Sequence, residues 1–184
     1  METLFAWIHL SDVQFGHGGP GHAADQRMVL DALRKDVGEV VAREGVAPDA
    51  ILVTGDVAWE GKAEQYAQAR AWLGEVAEAA GVDPARVYVV PGNHDIDLDP
   101  GERDAARLVR AVREGSEDID EALANDSRHL IRRQQPYLAF AAGLAPKCRD
   151  LFWVDHRDGR RGLRVRLVGL RNSAPGSPDK DSRS

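Results

Sequence analysis

The chain has 184 residues, 43% apolar and 29% charged, with a net charge of −6. That is enough for one globular domain with a buried core, and the acidic balance argues against broad, non-specific nucleic-acid binding through a basic surface. Cys148 is the single cysteine, so no internal disulfide forms; no run of eighteen apolar residues predicts a membrane span, and a cytoplasmic protein is expected.

Leu4 to Leu10 is a short apolar run that predicts a buried strand ending at Ser11-Asp12. A loop rich in glycine and histidine follows, from Gly16 to His22. Between Ala24 and Arg43, Leu30, Leu33, Val37, Val40 and Val41 recur at helical spacing. Ala50 to Thr54 predicts a second buried strand, ending at Gly55-Asp56. Lys62 to Ala80 predicts a helix with Tyr66, Ala69, Leu73, Val76 and Ala80 on one face, stopped by Gly81. Arg86 to Val90 predicts a third buried strand, ending at Pro91-Gly92-Asn93-His94-Asp95.

Alternating buried strands and helices argue for a parallel α/β core. Beyond it, residues of about 101–143 are charged with weaker helical stripes. The better stripe is Leu130, Gln134, Tyr137, Leu138 and Ala141, and the segment is expected to be a helical insertion or cap. Leu151 to Asp155 and Leu163 to Gly169 predict a C-terminal hairpin turning at Asp158-Gly159, with arginine alternating with Leu or Val on the second strand as one wet face requires. The polar tail, 172–184, is expected to be disordered. The expected domain is therefore 1–171.

Open α/β sheets bind ligands beyond the carboxyl ends of their strands. Asp12, Asp56 and Asp95, with Asn93 and His94, stand at three successive strand ends and are expected on one rim. Two carboxylates about 4 Å apart repel by a few kcal/mol at an effective dielectric of about 20, so one takes up a proton unless a cation lies between them. Oxygen donors from Asp and Asn, joined by imidazole nitrogen, suit Mn, Fe or Zn. Taken singly, each such aspartate is more often a turn or helix cap. Repetition on three strands is what points to a metal site.

His-Leu-Ser-Asp-Val-Gln-Phe-Gly (9–16), Gly-Asp-Val-Ala-Trp-Glu-Gly (55–61) and Gly-Asn-His-Asp (92–95) resemble the first three sequence blocks of calcineurin-like metallophosphoesterases. The resemblance covers Leu4 to Asp95 best. It implies an α/β sandwich with a βαβαβ core and a dinuclear metal site that hydrolyses phosphate mono- or diesters, a nucleotide or nucleic acid among the substrates it allows. It implies that Asp12 binds the first metal, Asp56 bridges both, and Asn93 binds the second. It implies that His94 meets the phosphate and protonates the leaving oxygen, and that Asp95 orients His94 through a hydrogen bond.

Two features depart from the pattern. Where the family has Asp-x-His, this chain has Asp12-Val13-Gln14, so Gln14 either ligates through its carbonyl oxygen or stands one shell out, with His17 and His22 as substitutes. The later histidine blocks are absent: after Gly92 only His94, His129 and His156 remain. The expectation is a truncated sandwich, part of a longer parent protein with further domains. The competing expectation is a catalytically weak or inactive sensor or interaction module on the same fold.

Overall fold

In the computed structural model the described residues are 2–97, 107, 110–111, 114–116, 118, 132–144 and 152–170. The core is a parallel sheet of β1 (Trp7–Leu10), β2 (Ala50–Thr54) and β3 (Val87–Val90), in the order β1-β2-β3. Its register pairs Trp7 with Ala50, and Ile51 with Val87. Helices α1 (Ala23–Glu44) and α2 (Ala63–Ala80) make the two crossovers and pack against each other. Right-handed crossovers in a sheet of this order carry both helices to one face.

The period-two alternation of the strands divides the apolar residues between two layers. Ile51, Val53, Val87 and Val89 join the core with Leu30 and Val37 of α1 and Tyr66, Ala69, Leu73 and Val76 of α2. Trp72 seals this layer by donating its indole N–H to the Leu30 carbonyl at 3.1 Å. Ala50, Leu52, Tyr88 and Val90 face the other way and meet Phe5, Trp153 and Leu167. The last two belong to an antiparallel hairpin of β4 (Phe152–Asp158) and β5 (Arg164–Leu170), which packs against β3. Trp153 donates to the Val89 carbonyl at 3.0 Å, so the hairpin is fixed to the sheet by a buried polar contact as well as by apolar area.

α3 (Gln135–Ala141) lies within the expected insertion and closes the main core. Its Tyr137 and Phe140 pack on Tyr66 of α2, with ring centroids 6.1 and 5.1 Å apart. A merely solvated helix would not bury Tyr137 and Phe140. Most of the insertion, His129, Cys148 and the 172–184 tail lie outside the described residues.

The expected elements are corrected at three points. The first strand begins at Trp7, not Leu4, and is not buried throughout: Trp7 is 56% exposed, because β1 is an edge of the described sheet and the hairpin covers β3 instead. The third strand begins at Val87, since Pro84–Arg86 forms a 3₁₀ turn capped by the Asp83 carboxylate. The hairpin turn is longer than Asp158-Gly159: Asp158 still pairs with Arg164, and the chain reverses through a 3₁₀ turn at Arg160–Gly162.

Candidate metal centre

Three loops leave the carboxyl ends of β1, β2 and β3, and backbone hydrogen bonds fasten them together. Asp12 N–H donates to the Gly55 carbonyl at 3.3 Å, Gln14 N–H to the Asp56 carbonyl at 2.8 Å and Phe15 N–H to the Val57 carbonyl at 2.9 Å. Trp59 N–H returns to the Phe15 carbonyl at 3.0 Å, completing a parallel bridge between Phe15 and Ala58. Phe15 is buried against Trp72 with an edge-on contact of 5.9 Å, which anchors the first loop in the core.

This fastening holds backbone that would not otherwise persist. Asp12, Gln14 and Asp56 have φ of 56°, 50° and 51°, in the left-handed region. For residues with a Cβ such conformations cost on the order of 1 kcal/mol or more each, and they concentrate at functional sites. The other such described residue, Arg161, lies in the hairpin turn. Gln26, in the first turn of α1, helps to impose the conformation. Its Nε2 donates to the Gln14 carbonyl at 2.8 Å, and its Oε1 accepts from Gly16 N–H at 3.2 Å.

The third loop is drawn in by two carboxylates. Asp56 Oδ1 accepts from His94 N–H at 2.9 Å. The approach leaves no room at Gly92, where a Cβ would lie 2.1 Å from Asp56 Oδ1. Asp95 is buried, and its oxygens accept from the amides of Val57, Ala58 and Gly92 at 3.2, 2.9 and 2.9 Å and from the Tyr66 hydroxyl at 2.9 Å. Burial pushes this carboxyl above its ordinary range, against the pull of those four donors. Burial and the neighbouring Asp95 push the Tyr66 hydroxyl strongly upward, so it stays a donor.

The hydrogen bond expected from Asp95 to His94 is therefore replaced by another. Every oxygen of Asp95 is taken by the β2 loop, by Gly92 and by Tyr66. The His94 ring is held by the Trp59 carbonyl, 3.0 Å from Nδ1, and stacks on the Trp59 indole at 4.3 Å. Asp95 acts by tying the second and third loops together. Sequence reasoning missed Gln26, Trp59 and Tyr66 as site residues. Tyr66 shows in the sequence only as an apolar-stripe residue carrying a hydroxyl, and Trp59 only as an intervening residue of the Gly-Asp-Val-Ala-Trp-Glu-Gly block.

The four side chains expected to ligate metal, Asp12, Gln14, Asp56 and Asn93, all offer oxygen. Asp12, whose carboxylate accepts from the Ser11 hydroxyl, is exposed, as is Asn93, while Asp56 and Gln14 are half-buried. The nearby imidazoles have other partners: His9 bonds Thr54 at 2.6 Å, His22 bonds the Gly18 carbonyl at 2.8 Å, and His17 sits edge-on to Trp59. His156 lies at the opposite end of the sheet, in a cavity with Phe5, Asp49 and Arg86. Among the described residues no three His, Cys, Asp or Glu side chains gather around one point. Two carboxylates and two amides fit a hard divalent ion such as Mn²⁺; they do not supply the imidazole or thiolate that Zn²⁺ prefers.

The match to known proteins is at the level of the family. A model of the calcineurin-like phosphoesterase family matches residues 7–165. The chain belongs to that family. The matched span takes in all three rim loops and all of β4, and ends just inside β5. No curated protein matches the chain. Family membership carries metal-assisted hydrolysis of phosphate esters as the general activity of the fold. No helix among the described residues is long and apolar enough to cross a membrane.

Proposed function

We propose that the rim formed by Asp12, Gln14, Asp56 and Asn93 holds divalent metal, Mn²⁺ by preference, and that the protein hydrolyses phosphate mono- or diesters there. The observation that carries this reading is the left-handed backbone at Asp12, Gln14 and Asp56. Strained residues held in place by their surroundings concentrate at functional sites, and these three, in loops leaving parallel strands, each carry an oxygen donor suited to a hard cation. A bound divalent ion supplies Lewis-acid polarisation of the phosphoryl oxygens and neutralises developing charge.

The chain's own residues divide the remaining work. Asp12 and Asp56 contribute the negative charge that holds cations. Asn93 and Gln14 add neutral oxygen without further repulsion. Asp56 also fixes His94 by accepting its backbone N–H. His94 then stands beside the rim as the group that meets the phosphate and delivers a proton to the leaving oxygen. Asp95 serves by holding the loops rather than by touching substrate. The acidic net charge fits a small phosphate ester or nucleotide better than long duplex nucleic acid.

The all-oxygen donor set favours a second reading, in which the fold serves as a sensor or interaction module with little turnover. Hydrolysis of bis-p-nitrophenyl phosphate with added Mn²⁺ separates the two. Under the hydrolase reading the wild-type chain turns the ester over and Asp56→Asn falls to the uncatalysed background. Equal background rates for both would overturn the hydrolase reading for this chain.

A further inference from the structure

Among the described residues, Trp59 supplies both the hydrogen bond and the ring stack of the His94 imidazole. The Trp59 carbonyl stands 3.0 Å from Nδ1, and the Trp59 indole lies over the imidazole with planes 17° from parallel. A carbonyl oxygen only accepts, so Nδ1 carries the proton in the neutral ring and Nε2 keeps its lone pair.

Trp59 is itself held from three sides. Its N–H donates to the Phe15 carbonyl, and the preceding residue, Ala58, is buried with its N–H on Asp95. His17 closes on the indole edge-on at 4.4 Å with an interplanar angle of 84°. A side chain so placed has little freedom to leave the imidazole it covers. The Trp59 ring is half-buried, which leaves its stack at the edge of the rim rather than sealed beneath it.

We infer that Trp59 is the positioning residue of His94: its carbonyl holds Nδ1–H and its indole fixes the ring plane, so that Nε2 is the atom presented to substrate, and the imidazolium form of the ring carries on Nε2 the proton that goes to the leaving oxygen. The catalytic consequence rests on the hydrolase reading; the tautomer and the stacking do not. Neither contact could be assigned from the Gly-Asp-Val-Ala-Trp-Glu-Gly block, where Trp59 stands as an intervening residue.

The test is a long-range proton–nitrogen correlation spectrum of the full chain, with the His94 ring assigned by its loss in His94→Gln. The expected pattern has Nδ1 protonated and Nε2 unprotonated in the neutral ring. The indole should also shift the His94 carbon-bound protons upfield. Trp59→Leu keeps the carbonyl and the tautomer but abolishes the upfield shift, and it lowers kcat with little change in KM. Trp59→Phe, which keeps an aromatic face, retains most of the shift and most of kcat, and it serves if the leucine variant does not fold. Protonation at Nε2 in the neutral wild type, or unchanged His94 shifts on loss of the indole, overturns the inference. A wild-type chain with the expected tautomer and no hydrolysis supports the positioning role and refutes the hydrolase reading instead.

Discussion

The Tyr66 hydroxyl donates to Asp95 Oδ1 at 2.9 Å beneath the rim, joining the core face of α2 to the loop after β3. Asp95 in turn accepts from Val57, Ala58 and Gly92. The rim is thus supported from below by one buried acceptor that serves four donors. Its geometry depends on that carboxylate even though the carboxylate lies outside the proposed donor set.

Asp95→Asn should be strongly destabilising. An asparagine offers one acceptor oxygen and turns an amide donor toward groups that are themselves donors. Unsatisfied buried donors cost about 1–3 kcal/mol each, so a loss of about 2 kcal/mol or more is expected in urea unfolding. Tyr66→Phe removes one donor and leaves the three amides in place, so it should cost less, about 1 kcal/mol. Equal stability of Asp95→Asn and wild type would show that the four contacts do not support the fold.

Gly92→Ala should displace Asp56. The added methyl would sit 2.1 Å from Asp56 Oδ1 and 2.5 Å from its backbone nitrogen, and the carboxylate cannot retreat without opening its contact to His94 N–H. The expected result is a stability loss of about 1–3 kcal/mol, as for an overpacked site, together with weaker divalent-ion binding. Thermal unfolding and an ion titration on the same sample check both halves.

Acid stability is set partly at the hairpin. The Tyr88 hydroxyl donates to Asp155 Oδ2 at 2.6 Å, and Arg157 Nε lies 2.9 Å from the same oxygen. Partial burial raises the Asp155 carboxyl, but the Tyr88 hydroxyl, the His156 amide and Arg157 outweigh it, and its pKa lies below the ordinary 3.8. A depressed carboxylate pKa adds stability that is present above the unfolded value and lost as pH falls through the folded one. Tyr88→Phe should therefore cost about 1 kcal/mol near neutral pH and progressively less in acid. Urea unfolding of both proteins across that range reads the convergence; a gap that stays constant below the folded value would assign the effect to packing alone.

The elements were legible where local signals agreed. Ala50–Thr54 follows the break at Pro48-Asp49 and is apolar up to Thr54, and α2 carries its stripe up to Gly81, so both agree with the expected bounds to within a residue. β1 was overextended because Leu4 to Ala6 are apolar in sequence yet lie outside the ladder with β2. The rim residues announced themselves by recurring at strand ends. Their support did not, because it runs through backbone groups and through side chains distant in sequence. Gln26 reaches back twelve residues to the Gln14 carbonyl, and the Trp59 carbonyl takes the place expected for Asp95. A Gly-Asn-His-Asp block fixes the order of four residues but not the direction in which the last one points.

The most direct measurement is a Mn²⁺ titration of the full chain followed by the resonance of the free ion. Uptake by the wild type is expected, with binding greatly weakened in Asp12→Asn and Asp56→Asn and retained in Asp97→Asn, whose carboxylate pairs with Lys62 and is not one of the proposed donors. A wild-type chain that leaves all the ion free, or an Asp56→Asn variant that binds it as well as wild type, would contradict the account.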